Sequence, residues 1–194
     1  MDWYLNVAGL VIFIGMLALF TAVLAIFTKR LWEDARILQR AYIAVEPLGI
    51  HLMENGSDLI GYVGIKNAGH LPARKLSWFI NIRFGHSGEE RDDFFPLEFG
   101  KGNIVIAPGA VATRSSRLSV KVHELNEFSG VGRDRGRPTY LYVWGAVEYN
   151  DGFNIIRTTK FCHRYNWINR KERDKLYEID AADARYHEYG NDAD

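Results

Sequence analysis

Leu5 to Phe27 reads LNVAGLVIFIGMLALFTAVLAIF, twenty-three residues without one ionisable side chain. As a helix rising about 1.5 Å per residue, the run covers the roughly 30 Å hydrocarbon core of a bilayer. A cleaved signal peptide has a basic start, a shorter apolar stretch and a small-x-small cleavage site. Here Asp2 is the only charged side chain before the run, which ends in Phe27-Thr28-Lys29-Arg30 with no such site. The expectation is an uncleaved transmembrane helix over 1–28. Trp3 and Tyr4 at one end and Trp32 at the other stand where interfacial aromatics belong.

Lys29, Arg30, Arg36 and Arg40 follow the run, and no Lys or Arg precedes it. The positive-inside rule then places the N-terminus outside and the following domain in the cytoplasm, at the inner membrane. Asn55-Gly56-Ser57 is a formal glycosylation sequon, but on this topology it reads as a turn. Along the helix, Ala8, Gly15, Ala18, Ala22 and Ala25 fall on one seam, with Val11 filling the gap and Phe13, Phe20 and Phe27 elsewhere. Small seams let helix backbones approach closely in lipid. Two readings stay open: docking onto a second copy or a partner's helix, or a lone helix whose small residues align.

The remaining chain reads as a water-soluble domain. The whole chain of 194 residues carries 24 Lys plus Arg and 24 Asp plus Glu, so its formal charge is zero. A general polyanion binder carries a clear basic excess, so no nucleic-acid partner is expected. One cysteine, Cys162, excludes an internal disulfide and multi-cysteine zinc sites. Five Trp, ten Tyr and eleven Phe favour strands.

Residues 29–40 lack Gly and Pro and predict a helical stalk. From Ala41 the pattern is short alternating strands separated by turn residues. Leu59, Gly61, Val63 and Ile65 share one face, as do Leu76, Trp78, Ile80 and Ile82. Pro47 suits an edge or bulge, Val122 to Phe128 a short helix, and Asn150-Asp151-Gly152 a tight turn between the last two strands. Seven or eight strands over 41–163 predict a mainly β fold, an antiparallel immunoglobulin-like β-sandwich, with a barrel as the alternative. Residues 164–194 form a polar tail, helix-prone around 169–186 and frayed at its end.

Three segments carry a resemblance: Arg40-Ala41-Tyr42-Ile43, Lys66-Asn67-Ala68-Gly69-His70-Leu71-Pro72-Ala73, and Gly145 to Gly152 followed by Thr158-Thr159-Lys160-Phe161-Cys162. In their order over 1–163 the chain resembles uncharacterised bacterial single-pass membrane proteins with a C-terminal β-sandwich domain. That group usually reads Asn-x-Gly-x-Thr-Pro-Ala at the second segment, where this chain has Leu71 in place of Thr. The resemblance implies fold and location, and no activity.

Asn67, Gly69 and Pro72 read as a structural corner, in which Asn bonds nearby backbone and Pro fixes the start of the next strand. Arg133, Arg135 and Arg137, in a Gly-rich loop, are candidates for contact with an anion such as a phosphate or lipid head group. A solvated hairpin loop is the plainer reading of them. Cys162 and His163 are adjacent on a strand and point to opposite faces, so they cannot act as a dyad. The six histidines lack metal-ligand spacing, and Glu89 to Asp93 lacks the pattern of a calcium loop. No catalytic, cofactor or metal site is expected, although His70, His86 and Glu89 would form a composite site if their loops met. The chain therefore reads as a membrane-anchored interaction or scaffold protein, a non-catalytic accessory of a membrane complex. The alternatives are an anionic-lipid or ligand sensor using the Arg133–Arg137 loop, and a membrane-bound enzyme with a composite loop site.

Overall fold

The computed structural model describes residues 2–54, 56–86, 99, 102–130, 138–173, 176–187 and 190–193. The chain divides into two compact units, Met1–Arg40 and Ala41–Asp194.

The first unit is one helix, α1 (Asp2–Gln39), 38 residues and about 57 Å long at the standard rise. Nothing in its sequence interrupts it: Pro is absent, and the hydroxyls of Thr21 and Thr28 donate to the carbonyls of Leu17 and Leu24, each at 2.8 Å. Polar side chains in the helix thus find partners one turn back. Past the apolar run, Lys29 meets Glu33 at 3.9 Å and the Arg36 guanidinium lies 4.5 Å from the centre of the Trp32 ring. From Gly9 onward the helix is long and apolar enough to cross a membrane.

The second unit, the head, is mainly β. Its elements are β1 (Ile43–Leu52), β2 (Asp58–Asn67), β3 (Ala73–His86), β4 (Ile104–Ile106), β5 (Val111–Ser115), β6 (Val120–Lys121), α2 (Val122–Gly130), β7 (Thr139–Asn150) and β8 (Ile156–Asn166). A 3-10 turn (Trp167–Asn169), β9 (Lys171–Arg173), β10 (Leu176–Ile179), a second 3-10 turn (Ala181–Asp183), β11 (Arg185–Tyr186) and β12 (Asp192–Ala193) complete it. Two antiparallel sheets result. One runs β5-β2-β1-β10-β9, with β6 also on β2. The other runs β11-β8-β7-β3-β4, with β12 also on β8.

Alternation builds the core. Ile43, Val45, Leu59, Val63 and Ile65 of the first sheet share one buried cluster with Leu76, Ile80, Ile82, Leu141, Val143, Phe161 and Tyr165 of the second. Gly61 sits against the facing sheet: a Cβ there would run into both methyls of Val143, one of them at 2.9 Å. Phe79, Tyr142, Trp144 and Cys162, on the opposite face of the second sheet, form a separate buried cluster. Pro47 lies at a bulge of β1, where the register to β2 shifts between Pro47 and Gly49. Gly56 takes a φ of +70°, as a turn requires, while Asn55 lies outside the described residues.

The tail departs from its sequence pattern. Helix is predicted over 169–186, yet the described residues there form short strands and two 3-10 turns. The reason is burial: Ile179 stands opposite Ile50 of β1 and is 1% exposed, and Tyr177 packs against the core. Pairing with β1 outweighs helix propensity worth tenths of a kcal/mol per residue. Asp180 then turns the chain, its carboxylate accepting from the Ala182 N–H at 3.1 Å. The end of the tail is held too, since Asp192 and Ala193 pair with Lys160 and Thr159 of β8.

The Gly61–Val143 contact is testable by urea denaturation. Gly61→Ala destabilises the head by about 2 kcal/mol through overpacking. In Gly61→Ala/Val143→Ala the loss is smaller than the sum of the single losses, by about 1 kcal/mol. Strict additivity would mean that the sheets do not meet there.

Candidate functional site

The three resemblance-bearing segments meet at one corner of the head, where the chain leaves residue 40 and begins β1. Backbone groups of Ala41, Tyr42 and Ile43 are taken by three distant segments of the fold. The Ala41 N–H donates to the Asp151 carbonyl at 3.0 Å. The Tyr42 N–H donates to Asn67 Oδ1 at 3.3 Å, and the Tyr42 carbonyl accepts from the Ala68 N–H at 2.8 Å. The Ile43 N–H reaches the Tyr149 hydroxyl at 3.4 Å, and its carbonyl accepts from Thr159 Oγ1 at 3.0 Å.

Asn67 is the hub. It ends β2, is 0% exposed, and uses the full capacity of its side-chain amide. Nδ2 donates to the carbonyls of Leu71 at 2.7 Å and Ile106 at 3.0 Å. Oδ1 accepts from Gly69 N at 3.0 Å as well as from Tyr42 N. Its backbone N–H and carbonyl bind Ala110 and Gly109 in the loop between β4 and β5. Gly69 and Pro72 lie in the loop before β3, where the Gly69 N–H bonds Asn67.

Asp151 is the second hub. Its carboxylate is almost wholly buried, accepts from the N–H groups of Phe153 (2.9 Å) and Ile155 (3.2 Å), and lies 3.4 Å from Arg157 Nε. This shapes the β7–β8 turn, while its carbonyl holds Ala41. Gly152, at φ +92°, packs against Leu71: a Cβ there would lie 2.9 Å from Leu71 Cδ1. Leu71 thus closes the two turns against each other. Tyr149, Asp151 and Thr159 were not singled out from sequence for these roles. Asn150-Asp151-Gly152 signals a turn, but nothing local reveals that Tyr149 bonds a strand 106 positions earlier.

Asn67 and Thr159 of the corner bind backbone, and Asp151 binds both backbone and the Arg157 side chain. The arrangement holds the start of β1 to the two turns.

The other candidates are dispersed. Arg133, Arg135, Arg137 and the 89–93 cluster lie outside the described residues. Among the described residues no group of three or more His, Cys, Asp or Glu could hold a metal ion. His70 is exposed, and His86 stacks on Phe128 with ring centres 4.1 Å apart. Cys162 and His163 face opposite sides of β8. Burial among Phe79, Tyr142 and Trp144 pushes the Cys162 thiol up to about 12, against the pull of Arg83 and Arg164, and so keeps it a protonated thiol. His163, 0% exposed, is turned into the head against Phe161 and Tyr186. Neither ring nitrogen makes a hydrogen bond of good geometry, although the Val45 backbone lies close enough to favour the charged form slightly. Desolvation dominates and lowers its pKa to about 4. Two hollows lie on the head among the described residues. One, of about 380 Å3, lies between Ser129, Thr139, Asn166, Trp167 and Arg170. The other, of about 320 Å3, lies between Leu48, His51, Tyr62 and Thr113 on the first sheet.

No family model, curated protein or solved structure matches the chain.

Two outcomes follow from these groups. Asn67→Ala strands two donors and two carbonyl acceptors and destabilises the head by about 3 kcal/mol. Asn67→Asp loses both donors and sets a carboxylate against two carbonyls. It is at least as damaging at pH 7 and recovers partly as pH falls and the acid protonates; urea midpoints at both pH values check this. For His163, the folded state keeps the ring neutral down to about 4, whereas the unfolded ring takes its proton near 6.5. Its contribution is intact above pH 6.5 and is lost as pH falls from 6.5 to 4, at up to about 1.4 kcal/mol per unit. His163→Leu flattens that part of the stability profile. An unchanged slope would show that His163 is already charged in the folded head.

Proposed function

We propose that the chain is a single-pass inner-membrane protein whose α1 crosses the bilayer, N-terminus outside, and whose head is an immunoglobulin-like β-sandwich acting as a non-catalytic interaction or scaffold module of a membrane complex. The observation that carries this is the exposure of α1. From Leu10 to Phe27 its large apolar side chains are 42% to 68% exposed, and the apolar window is 0% buried. In water such a surface is unstable, so it needs lipid or partner helices around it. The basic flank from Lys29 onward supports the cytoplasmic side for the head.

The strand order supports the immunoglobulin-like reading. β1-β2-β5 follow one another as strands A, B and E do, and β8-β7-β3-β4 as G, F, C and C′ do. Two open sheets with separate edges fit a sandwich better than a closed barrel. Gly15, Ala18, Ala22 and Ala25 offer a surface for close helix packing; a Cβ at Gly15 would meet nothing within 4 Å. The side chain of Ala8 lies outside the described residues. Tethering to a membrane raises the effective concentration of any partner in the same bilayer.

The lipid-sensing alternative rests on Arg133, Arg135 and Arg137, which lie outside the described residues.

Alkaline carbonate extraction should leave the protein in the membrane pellet; release into the supernatant would remove the anchor. Replacing Gly15, Ala18 and Ala22 by Ile should cut cross-linked or co-purified membrane species at least fivefold. Unchanged cross-linking discards the seam while leaving the anchor standing.

A further inference from the structure

β8 is an eleven-residue strand whose outer edge is covered by fragments. β11 places only Arg185 and Tyr186 opposite Arg164 and His163, and β12 only Asp192 and Ala193 opposite Lys160 and Thr159. Between them the ladder is improvised around Cys162. Its carbonyl accepts from the His187 N–H at 2.9 Å, but its N–H donates to Asn191 Oδ1 at 3.0 Å. A side-chain amide stands where a strand would offer a peptide carbonyl. Asn191 Nδ2 completes the imitation by donating to the His187 carbonyl at 2.6 Å. Among the described residues, neither fragment stands opposite Ile156, Arg157 or Thr158.

The cover is also mismatched in charge. Asp192 suits Lys160, but Arg185 stands directly opposite Arg164, and like charges in that position weaken a strand pair. Arg185 turns away to the carbonyls of Ala182 and Ala184, and the Arg164 guanidinium lies 4.6 Å from the centre of the Tyr140 ring. Two-residue strands with exposed side chains open at little cost in free energy, and a long strand edge is a ready template for pairing. His187, 3% exposed and set edge-on to Tyr142 at 5.2 Å, is the buried plug of the cover.

We propose that β11, His187, Asn191 and β12 form a displaceable guard on β8, and that the edge beneath accepts an extended segment of a partner protein by antiparallel strand addition. The segment this edge favours carries acidic residues four positions apart, facing Arg164 and Lys160. The inference rests on reading the head as an interaction module and names the form of its partner.

The test uses the full-length chain in detergent micelles, with Cys162 as its single thiol. Asn191→Ala should raise the maleimide labelling rate of Cys162 at least tenfold without changing the far-UV spectrum. Arg185→Glu, which pairs with Arg164, should lower it severalfold. A fluorescent peptide of residues 184–193 should bind the Asn191→Ala chain at least tenfold more tightly than the wild type, and its Arg185→Glu form about threefold more tightly again. Equal labelling in all three chains, or no saturable peptide binding to Asn191→Ala, overturns the proposal. In a Cys162→Ser background, Lys160→Cys with Asp192→Cys should oxidise within one chain. A disulfide-linked dimer would assign the edge to a second copy's tail and also overturn it. None of these readouts depends on the anchor, so carbonate extraction can fail while strand addition stands, and the reverse.

Discussion

The head depends on one buried side-chain amide. Asn67 has two donors and two acceptor positions, and all four are engaged with backbone of Tyr42 just before β1, the loop before β3 and the end of β4. Only a residue that both donates and accepts can do this, because its partners include carbonyls and N–H groups together. Left unpaired, those groups would be buried at the point where the chain passes from helix to sheet, at about 1–3 kcal/mol each. The first strand is therefore fixed by polar complementarity as well as by apolar burial.

Asp151 repeats the device from the other side. Its carboxylate organises a turn and its carbonyl holds Ala41, so the β7–β8 hairpin and the start of β1 form together. The Tyr149 hydroxyl and Thr159 Oγ1 take the polar groups of Ile43. A junction built from three distant segments orders only once the two sheets have met, since each hub has its partners in another element. The interior also tolerates a neutral His163, whose ring is held among aromatics at the expense of its ability to charge.

The two sheets end differently. β5 is a five-residue edge, and Arg114 folds over it, its guanidinium 2.7 Å from the Thr113 carbonyl and 4.6 Å from the Trp78 ring. That is a common protection for an edge, a charge that blocks further pairing. β8 has instead the tail, a patchwork of backbone and side-chain bonds. The contrast separates an edge that is closed by chemistry from one that is closed by occupancy.

Much was legible in the residues themselves. The uninterrupted run from Leu5 to Phe27 specifies an apolar helix, because it holds no ionisable side chain and no Pro, and its Thr21 hydroxyl bonds back one turn to the Leu17 carbonyl. Alternation over 59–65 and 76–82 specifies strands and their buried faces, because side-chain direction on a strand has a period of two. Asn67, Gly69 and Pro72 mark a corner through local turn chemistry. The tail was not legible: residues 169–186 favour helix locally, and strand pairing with β1 and burial of Ile179 exist only after the sheets form. The same holds for the convergence of Asn67, Tyr149, Asp151 and Thr159 on the first residues of β1, and for the cover over Cys162. Local sequence determined the helix, the strands and the turns, whose energies come from near neighbours. Tertiary structure alone decided which distant backbone groups each buried side chain satisfies, because that is set by the meeting of the two sheets.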